Sequence, residues 1–404
     1  MGDRSEGLWY EALRDLLVRG HLTAPNQLTP LINAVTGRLG VDVVVYVGDG
    51  QQRILTPLPT GTDASPEPVR IDGTLAGRAF SLVQVTSGTE ADGRPRLWVP
   101  MLDGTERVGV LDVCLPHDAD PADPEIRSKC VTFASLVGHL AVSKLTYGDT
   151  LHIARRTEPM SVASELLWQM LPALTVSSDR LVVTGVLEPC YRVGGDGFDY
   201  AVDPPGAHLA VFDAMGHSLD AGLLCAVALA ATRSARRQGL GLYEMGRAAD
   251  RALTGQFDQS RFVTGVLAHL DQDTGLLRYV NAGHPPPLVV RRGRVVLTLD
   301  QGRRLPFGLD DARVRVAQER LEPGDRILFY SDGVTEARRP DGDFFGVDRL
   351  VGLLERNTAA GLPAPESLRR LSHAVLDHQA GLLQDDATLL LVEWRTDGPK
   401  KLVP

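Results

Sequence analysis

Four acidic positions in this chain share a local pattern that could do chemistry. Asp196 sits in VGGDGFD, Asp213 closes the apolar run HLAVF and opens DAMGH, Asp332 closes ILFYS and opens DGVTEA, and Asp385 with Asp386 precedes ATLLLVEW. Three of the four lie where an apolar strand meets a turn. From there a carboxylate projects off a rigid edge, and neighbouring glycines let backbone carbonyls and water come close. Carboxylates joined by backbone oxygens and water, without clustered His or Cys, select hard cations such as Mg2+ or Mn2+. The chemistry suggested is a binuclear metal centre. Taken singly, an Asp-Gly at a strand end is more often a structural turn; the weight comes from four together.

The elements that must position these residues belong to a chain of 404 residues, enough for two or three domains with their own cores. Its hydrophobic fraction of 43% and charged fraction of 23% are those of a globular protein, which argues against a disordered chain or a channel. Lys+Arg 42 against Asp+Glu 51 gives a net charge of -9, so a whole-chain grip on nucleic acid or anionic membrane is not expected. Cys114, Cys130, Cys190 and Cys225 stand far apart, as reduced structural cysteines do. No run approaches the roughly 18 apolar residues of a membrane span, and no export or lipid signal is visible, so a cytoplasmic chain is expected.

Residues 1–145 read as helices flanking short strands, among them Val41 to Val47 and a hairpin formed by LWVPML and VGVLDVCL. Phe133 to Ala154 permits a heptad seam through Phe133, Leu136, Leu140, Tyr147, Leu151 and Ala154, interrupted by Lys144 and Gly148. A paired helical linker and a plain connector are both open. Residues 146–175 are expected to be a helical linker, interrupted at Pro159. From 176 to 396 strand runs recur, including LVVTGVL, HLAVFDA, RFVTGVLAHLD, LLRYVNA, PLVVRRGRVVLT, DRILFYSD and ATLLLVEW, with helical stretches over Ala221–Arg237, Tyr243–Phe257 and Pro365–His378. So many strands with helices in the crossings predict a two-sheet sandwich covered by helices, an α+β chain overall. Residues 397–404 are a tail.

The region from about 160 to 395 resembles the SpoIIE-like branch of the metal-dependent serine/threonine phosphatases, the protein phosphatase 2C (PPM) superfamily. The resemblance rests on VGGDGFD, DAMGHSLDAGLL, NAGHPPPLV, PFGL, LEPGDRILFYSDGVTEAR and DDATLLLVE, in that order. It implies an α-β-β-α sandwich binding two Mn2+ or Mg2+ ions. Asp196, Asp213, Asp332 and Asp385 fall on the family's metal aspartates, Asp213 bridging the ions and Ala214 offering its backbone carbonyl. It further implies direct hydrolysis of phosphoserine or phosphothreonine without a covalent phosphoenzyme. The substrate it implies is a phosphorylated anti-sigma-factor antagonist of the STAS class, whose kinase would be a separate chain. Gly197 departs from the bulky residue the family often carries there, which bears on substrate preference and leaves the aspartates in place.

Other residues near these motifs invite functional readings. His217 could donate a proton to the leaving oxygen, but a packing role is preferred; His284 is expected to stabilise its turn. Arg192 could clamp a phosphate, and Arg291, Arg292 and Arg294 read as a solvated hairpin. DGTLAGRAF, LWVPMLDGTERVGVLDV and FASLVGHLAV resemble a GAF-type sensor domain over about 25–145, which implies a ligand pocket or a dimer surface. The expectation is a homodimeric metal-dependent protein phosphatase regulated by its N-terminal domain, with no nucleic-acid or membrane partner. Two alternatives stand beside it: a pseudophosphatase that signals by contact, and a hydrolase of small phosphorylated metabolites.

Overall fold

The structure is a computed structural model. It describes residues 2–60, 66–189, 191–192, 194–216, 218–258, 260–311, 314–380 and 385–404, with side chains described from residue 6 onward. The expectations at His217 and Cys190, and Val193 of the VGGD motif, lie outside the described residues. The chain divides into two compact units, Met1–Glu158 with Lys401–Pro404, and Pro159–Lys400.

The first unit runs α1 (Gly2–Gly20), α2 (Leu28–Thr36), β1 (Asp42–Gly48), β2 (Ile54–Pro57), β3 (Val69–Arg70), α3 (Leu75–Leu82), β4 (Thr86–Thr89), β5 (Pro95–Asp103), β6 (Glu106–Cys114), α4 (Pro124–Lys144) and α5 (Thr150–Ala154). Its sheet has the order β3-β2-β1-β6-β5-β4. Alternation makes the sheet two-faced. Val43, Val45, Val47, Leu97, Val99 and Met101 pack with residues of α1, α2 and α4. Tyr46, Trp98 and Val110 pack with Phe80 of α3. Gly138 lets α4 lie close on the sheet, since a Cβ there would stand 2.1 Å from the Leu102 carbonyl oxygen.

The expected heptad seam is spent inside this unit. Phe133, Leu140 and Leu151 belong to its core, Lys144 is buried with Nζ donating to the His21 carbonyl, and Tyr147 is exposed. Residues 146–175 contain two separate helices, α5 and α6 (Val162–Met170), one in each unit, with Pro159 between them. Pro159 accounts for the break between them, and Gly148, whose extended backbone breaks the helical path, separates α4 from α5.

The second unit continues with β7 (Thr175–Ser178), β8 (Leu181–Glu188), β9 (Asp196–Asp203), β10 (Gly206–Ala214), α7 (Leu219–Arg237), α8 (Leu242–Gln256), β11 (Val263–Asp271), β12 (Leu276–Ala282), β13 (Leu288–Arg291) and β14 (Arg294–Thr298). Then come β15 (Arg303–Arg304), β16 (Ala317–Arg320), β17 (Arg326–Tyr330), α9 (Asp332–Thr335), α10 (Gly346–Ala359), α11 (Ala364–His378) and β18 (Ala387–Trp394). One sheet has the order β15-β12-β11-β10-β9 with β16 on β12; the other has the order β14-β13-β17-β18-β8-β7. Helices α7 and α8 pack on the first and α11 on β8 and β18 of the second, giving an α-β-β-α sandwich.

The sequence of α7 shows why it covers a sheet. Ala221, Leu224, Cys225, Ala228, Leu229, Thr232 and Ala235 recur at three- and four-residue steps and are buried, while Arg236 and Arg237 close the last turn where the helix dipole favours cations. The two faces of β9 are equally legible. Phe198 points at the opposite sheet, where a Cβ on Gly185 would come within 2.4 Å of its ring; Gly197 points at α7, where a Cβ would meet Cys225 Sγ at 2.8 Å. Residue 197 therefore bears on helix packing. Burying the Phe198 ring in full contributes about 2 to 3 kcal/mol.

Candidate active site

Strand register assembles half of the site. In the β9–β10 pairing Asp196 lies directly opposite Asp213, and in the β10–β11 pairing Asp213 lies directly opposite Thr264. Directly opposed residues share a face. Since Phe198 shares a face with Asp196 by the two-residue period, the row Asp196, Asp213, Thr264 looks into the gap between the sheets at one end of the sandwich.

The opposite sheet supplies the other half. Asp332 begins α9, one residue after Ser331, whose N–H donates to the Thr388 carbonyl and so continues the β17–β18 ladder. Asp385 stands just ahead of β18 and is exposed. Gly333 is needed for close approach: a Cβ there would lie 1.8 Å from the Asp386 carbonyl oxygen. The Asp-Gly of this motif therefore marks packing against the strand end, and its glycine is helical.

Asp386 does work the sequence reading left unassigned. Its Oδ2 accepts the backbone N–H groups of Gly194, Gly195 and Asp196 at 2.7, 2.6 and 3.2 Å. One buried carboxylate thus clips the VGGD loop of one sheet to the first residues of β18 in the other. The only signal in the sequence was the doubled aspartate. Strand alternation turns one of that pair inward and the other outward, and the sequence does not say which. Gly195 in turn lies against the Ala214 turn: a Cβ there would stand 2.7 Å from the Ala214 carbonyl oxygen, and the Gly195 carbonyl accepts from Ala214 N–H at 3.1 Å.

The electrostatics are those of carboxylates crowded without a cation. Burial pushes Asp196 well above the usual carboxylate range, reinforced by Asp213 and Asp386, while the hydroxyls of Ser331 and Thr388 draw it back. Asp213 is pushed up to about 7 by burial and then by Asp332, Asp385 and Asp386. Asp332 is raised by burial, Asp385 and Glu336. Asp386 is raised by burial, against the three N–H groups it accepts. Asp196 Oδ2 is buried with no hydrogen-bond partner. Among the described residues, no three His, Cys, Asp or Glu side chains converge tightly enough to hold an ion as they stand.

The remaining sequence candidates sort clearly. His284 is buried just after β12, its backbone N–H donating to Asn281 Oδ1 at 2.8 Å and its carbonyl accepting from Asn281 Nδ2 at 2.9 Å, so the Asn281 side chain closes this turn and the imidazole takes no part in those bonds. Its Nδ1 also lies 3.0 Å from Thr264 Oγ1, a contact that depends on the β11–β12 register and has no local sequence signal. Arg291 pairs with Asp325 and Glu322, and Arg294 with Glu355, so these arginines of the β13–β14 hairpin are engaged in ion pairs. Arg192 lies in the turn between β8 and β9.

The second unit is similar to known proteins. The family described as Stage II sporulation protein E (SpoIIE) matches residues 203–395. Phosphoserine phosphatase RsbU of Bacillus subtilis (strain 168) is 24% identical over 234 residues, covering 58% of this chain and 69% of that protein. Protein IcfG of Synechocystis is 29% identical over 144 residues, covering 35% of this chain but only 22% of that protein. Among solved structures, the RsbU and RsbW domains of a Mycobacterium tuberculosis protein align with TM-score 0.45 and 26% identity, over 56% of this chain and 62% of that one. Through its second unit, this chain is similar to the SpoIIE-like PPM-type protein phosphatases.

Proposed function

We propose that the second unit is a metal-dependent protein phosphatase that hydrolyses phosphoserine or phosphothreonine on a partner protein. The observation that carries this reading is the meeting of Asp196 and Asp213 from one sheet with Asp332 and Asp385 from the other, with Asp196, Asp213 and Asp332 raised by burial and neighbouring carboxylates and no cationic side chain among the causes. The donor set fits Mg2+ or Mn2+: all oxygen, with one buried oxygen of Asp196 lacking any partner. Asp196, Asp213, Asp332, Asp385 and the Ala214 carbonyl would hold two such ions, Asp213 between them. When bound, the ions supply an activated water and offset charge on the phosphoryl oxygens. The chain's own contribution is position. Asp386 fixes the VGGD loop against β18, Gly333 lets Asp332 sit against the same strand end, and the β9–β10 register sets Asp196 beside Asp213.

The relative named phosphoserine phosphatase supports a phosphoserine substrate, and the family resemblance supports a phosphorylated anti-sigma-factor antagonist of the STAS class, with the first unit, a GAF-like module, regulating the second. Comparing a phosphoserine peptide, an aryl phosphate and nucleotides, each with Mn2+ and with chelator, tests the reading. Metal-dependent preference for the phosphoserine substrate supports it. Preference for nucleotides or metabolites, or no turnover with any of them, would favour the small-molecule hydrolase or the contact-signalling alternative.

A further inference from the structure

Beyond the carboxylates, the structure holds a second set of polar groups in line with Asp213. Asp213 faces Thr264 across the β10–β11 pairing, and β11 in turn pairs with β12, with Val266 opposite Asn281. That register carries the residues after β12 back beside Thr264, and Gly283, at φ +72°, turns the chain so that His284 arrives there. The result is a string of atoms: His284 Nδ1 is 3.0 Å from Thr264 Oγ1, and Thr264 Oγ1 is 3.5 Å from Asp213 Oδ2.

The proton directions along this string depend on the tautomer of the imidazole. Burial pushes the His284 imidazole down to about 4, so it is neutral at physiological pH with a single N–H. Its Nε2 makes no well-formed hydrogen bond, and the Tyr330 backbone acts on the ring as an acceptor, opposing the effect of burial. The tautomer that lets the string act on Asp213 carries its proton on Nδ1, where Thr264 Oγ1 can accept it. The threonine hydroxyl, having accepted from the imidazole, turns its own hydrogen toward the Asp213 carboxylate.

We propose that Thr264 and His284 are positioning residues that aim the Oδ2 oxygen of Asp213, the imidazole orienting the hydroxyl and the hydroxyl orienting the carboxylate. This rests on the reading of Asp213 as a metal-bridging residue. Partners one step removed from a ligand fix its orientation, and their loss typically weakens metal affinity by about 10- to 100-fold. Neither residue touches the phosphate; each acts through Asp213. The Asn281 bonds to the His284 backbone hold the turn independently, so the side chain can be altered while the turn stays closed.

The test is Mn2+ affinity of the full chain by calorimetry, with thermal melting in chelator as the control for folding. Thr264→Val, which keeps the shape and removes the hydroxyl, should weaken Mn2+ binding by about 10-fold or more, whereas Thr264→Ser should stay near wild type. His284→Asn, whose amide N–H can stand in for Nδ1, should retain most of the affinity, and His284→Leu should lose it. In nitrogen-15 spectra, His284 should carry its proton on Nδ1. Wild-type affinity in Thr264→Val, or a proton on Nε2, would overturn the relay while leaving the metal reading intact. Failure of the wild-type chain to bind Mn2+ at all would overturn the metal reading, and the relay with it.

Discussion

At the scale of single residues, the four aspartates were visible in the sequence because each carries its own flanking motif: Asp213 and Asp332 close apolar runs ahead of Ala or Gly, Asp196 sits among glycines, and Asp385 precedes an apolar run. What the residues do to one another was not visible. Asp385 and Asp386 are adjacent and identical in type, yet one is exposed and the other accepts three backbone N–H groups from the far sheet. Their substitutions should separate accordingly. Asp386→Ala leaves three buried donors without an acceptor and should lower stability by about 2 to 4 kcal/mol in denaturant melts, whereas Asp385→Ala should melt near wild type in chelator and fail in Mn2+ binding. The crowding also fixes a pH dependence. Asp213, pushed up to about 7 without metal, holds a proton that a cation must displace, so Mn2+ affinity should weaken as pH falls below about 7 and binding should release protons. In the metal-free chain the folded state binds this proton more tightly than the unfolded one. Its contribution to stability is therefore full below the ordinary carboxylate value of 3.8 and is lost as pH rises through about 7. Melting temperature against pH, with and without Mn2+, measures both effects.

At the scale of elements, the strand and helix patterns were largely legible. The runs HLAVFDA, RFVTGVLAHLD and ATLLLVEW became β10, β11 and β18, and the alanine- and leucine-rich stretch from 221 became α7. The pairing order was not legible, because it depends on long-range register. Thr264 gains its importance only once β11 is known to lie beside β10 in the register that sets it against Asp213. The two roles of glycine were likewise hidden. Gly333 reads as a turn residue, but it permits contact between α9 and the start of β18. Gly333→Ala should therefore destabilise by about 1 to 3 kcal/mol and weaken metal binding, since Asp332 must move with its backbone. Gly255 in α8 has nothing within 4 Å of its would-be Cβ, and Gly255→Ala should be neutral or stabilising by up to about 1 kcal/mol. Chemical denaturation of the two variants checks the contrast.

At the scale of the whole molecule, the expectation of an α+β chain with a helix-covered two-sheet sandwich holds, and the separation into two units falls at Glu158/Pro159. The heptad seam left its partner open because an apolar stripe on a helix looks the same whether it meets another chain or its own sheet; here Phe133, Leu140 and Leu151 belong to the core of the first unit. Each unit has its own core, so residues 159–400 expressed alone should fold and bind Mn2+ with the affinity of the full chain. Away from the aspartates, on the face of β10 and β11 that α7 covers, His208 and His269 stack edge to face at 4.6 Å. Burial pushes His208 down to about 4, helped by His269 and Arg236, and burial and Arg278 lower His269. The folded chain thus resists protonating this pair, and by linkage stability is lost as pH falls from about 6.5 toward 4. Replacing His208 with Phe should flatten that acid limb of the melting curve.

Phosphate release from a phosphoserine substrate, followed as Mn2+ is titrated into the chelated chain and into its Asp213→Ala and Asp332→Ala variants, tests the central claim most directly. The expected result is turnover that rises with Mn2+ in the wild type, vanishes in chelator and falls by at least about 100-fold in both variants. Turnover that persists in chelator, or full activity in either variant, would contradict it.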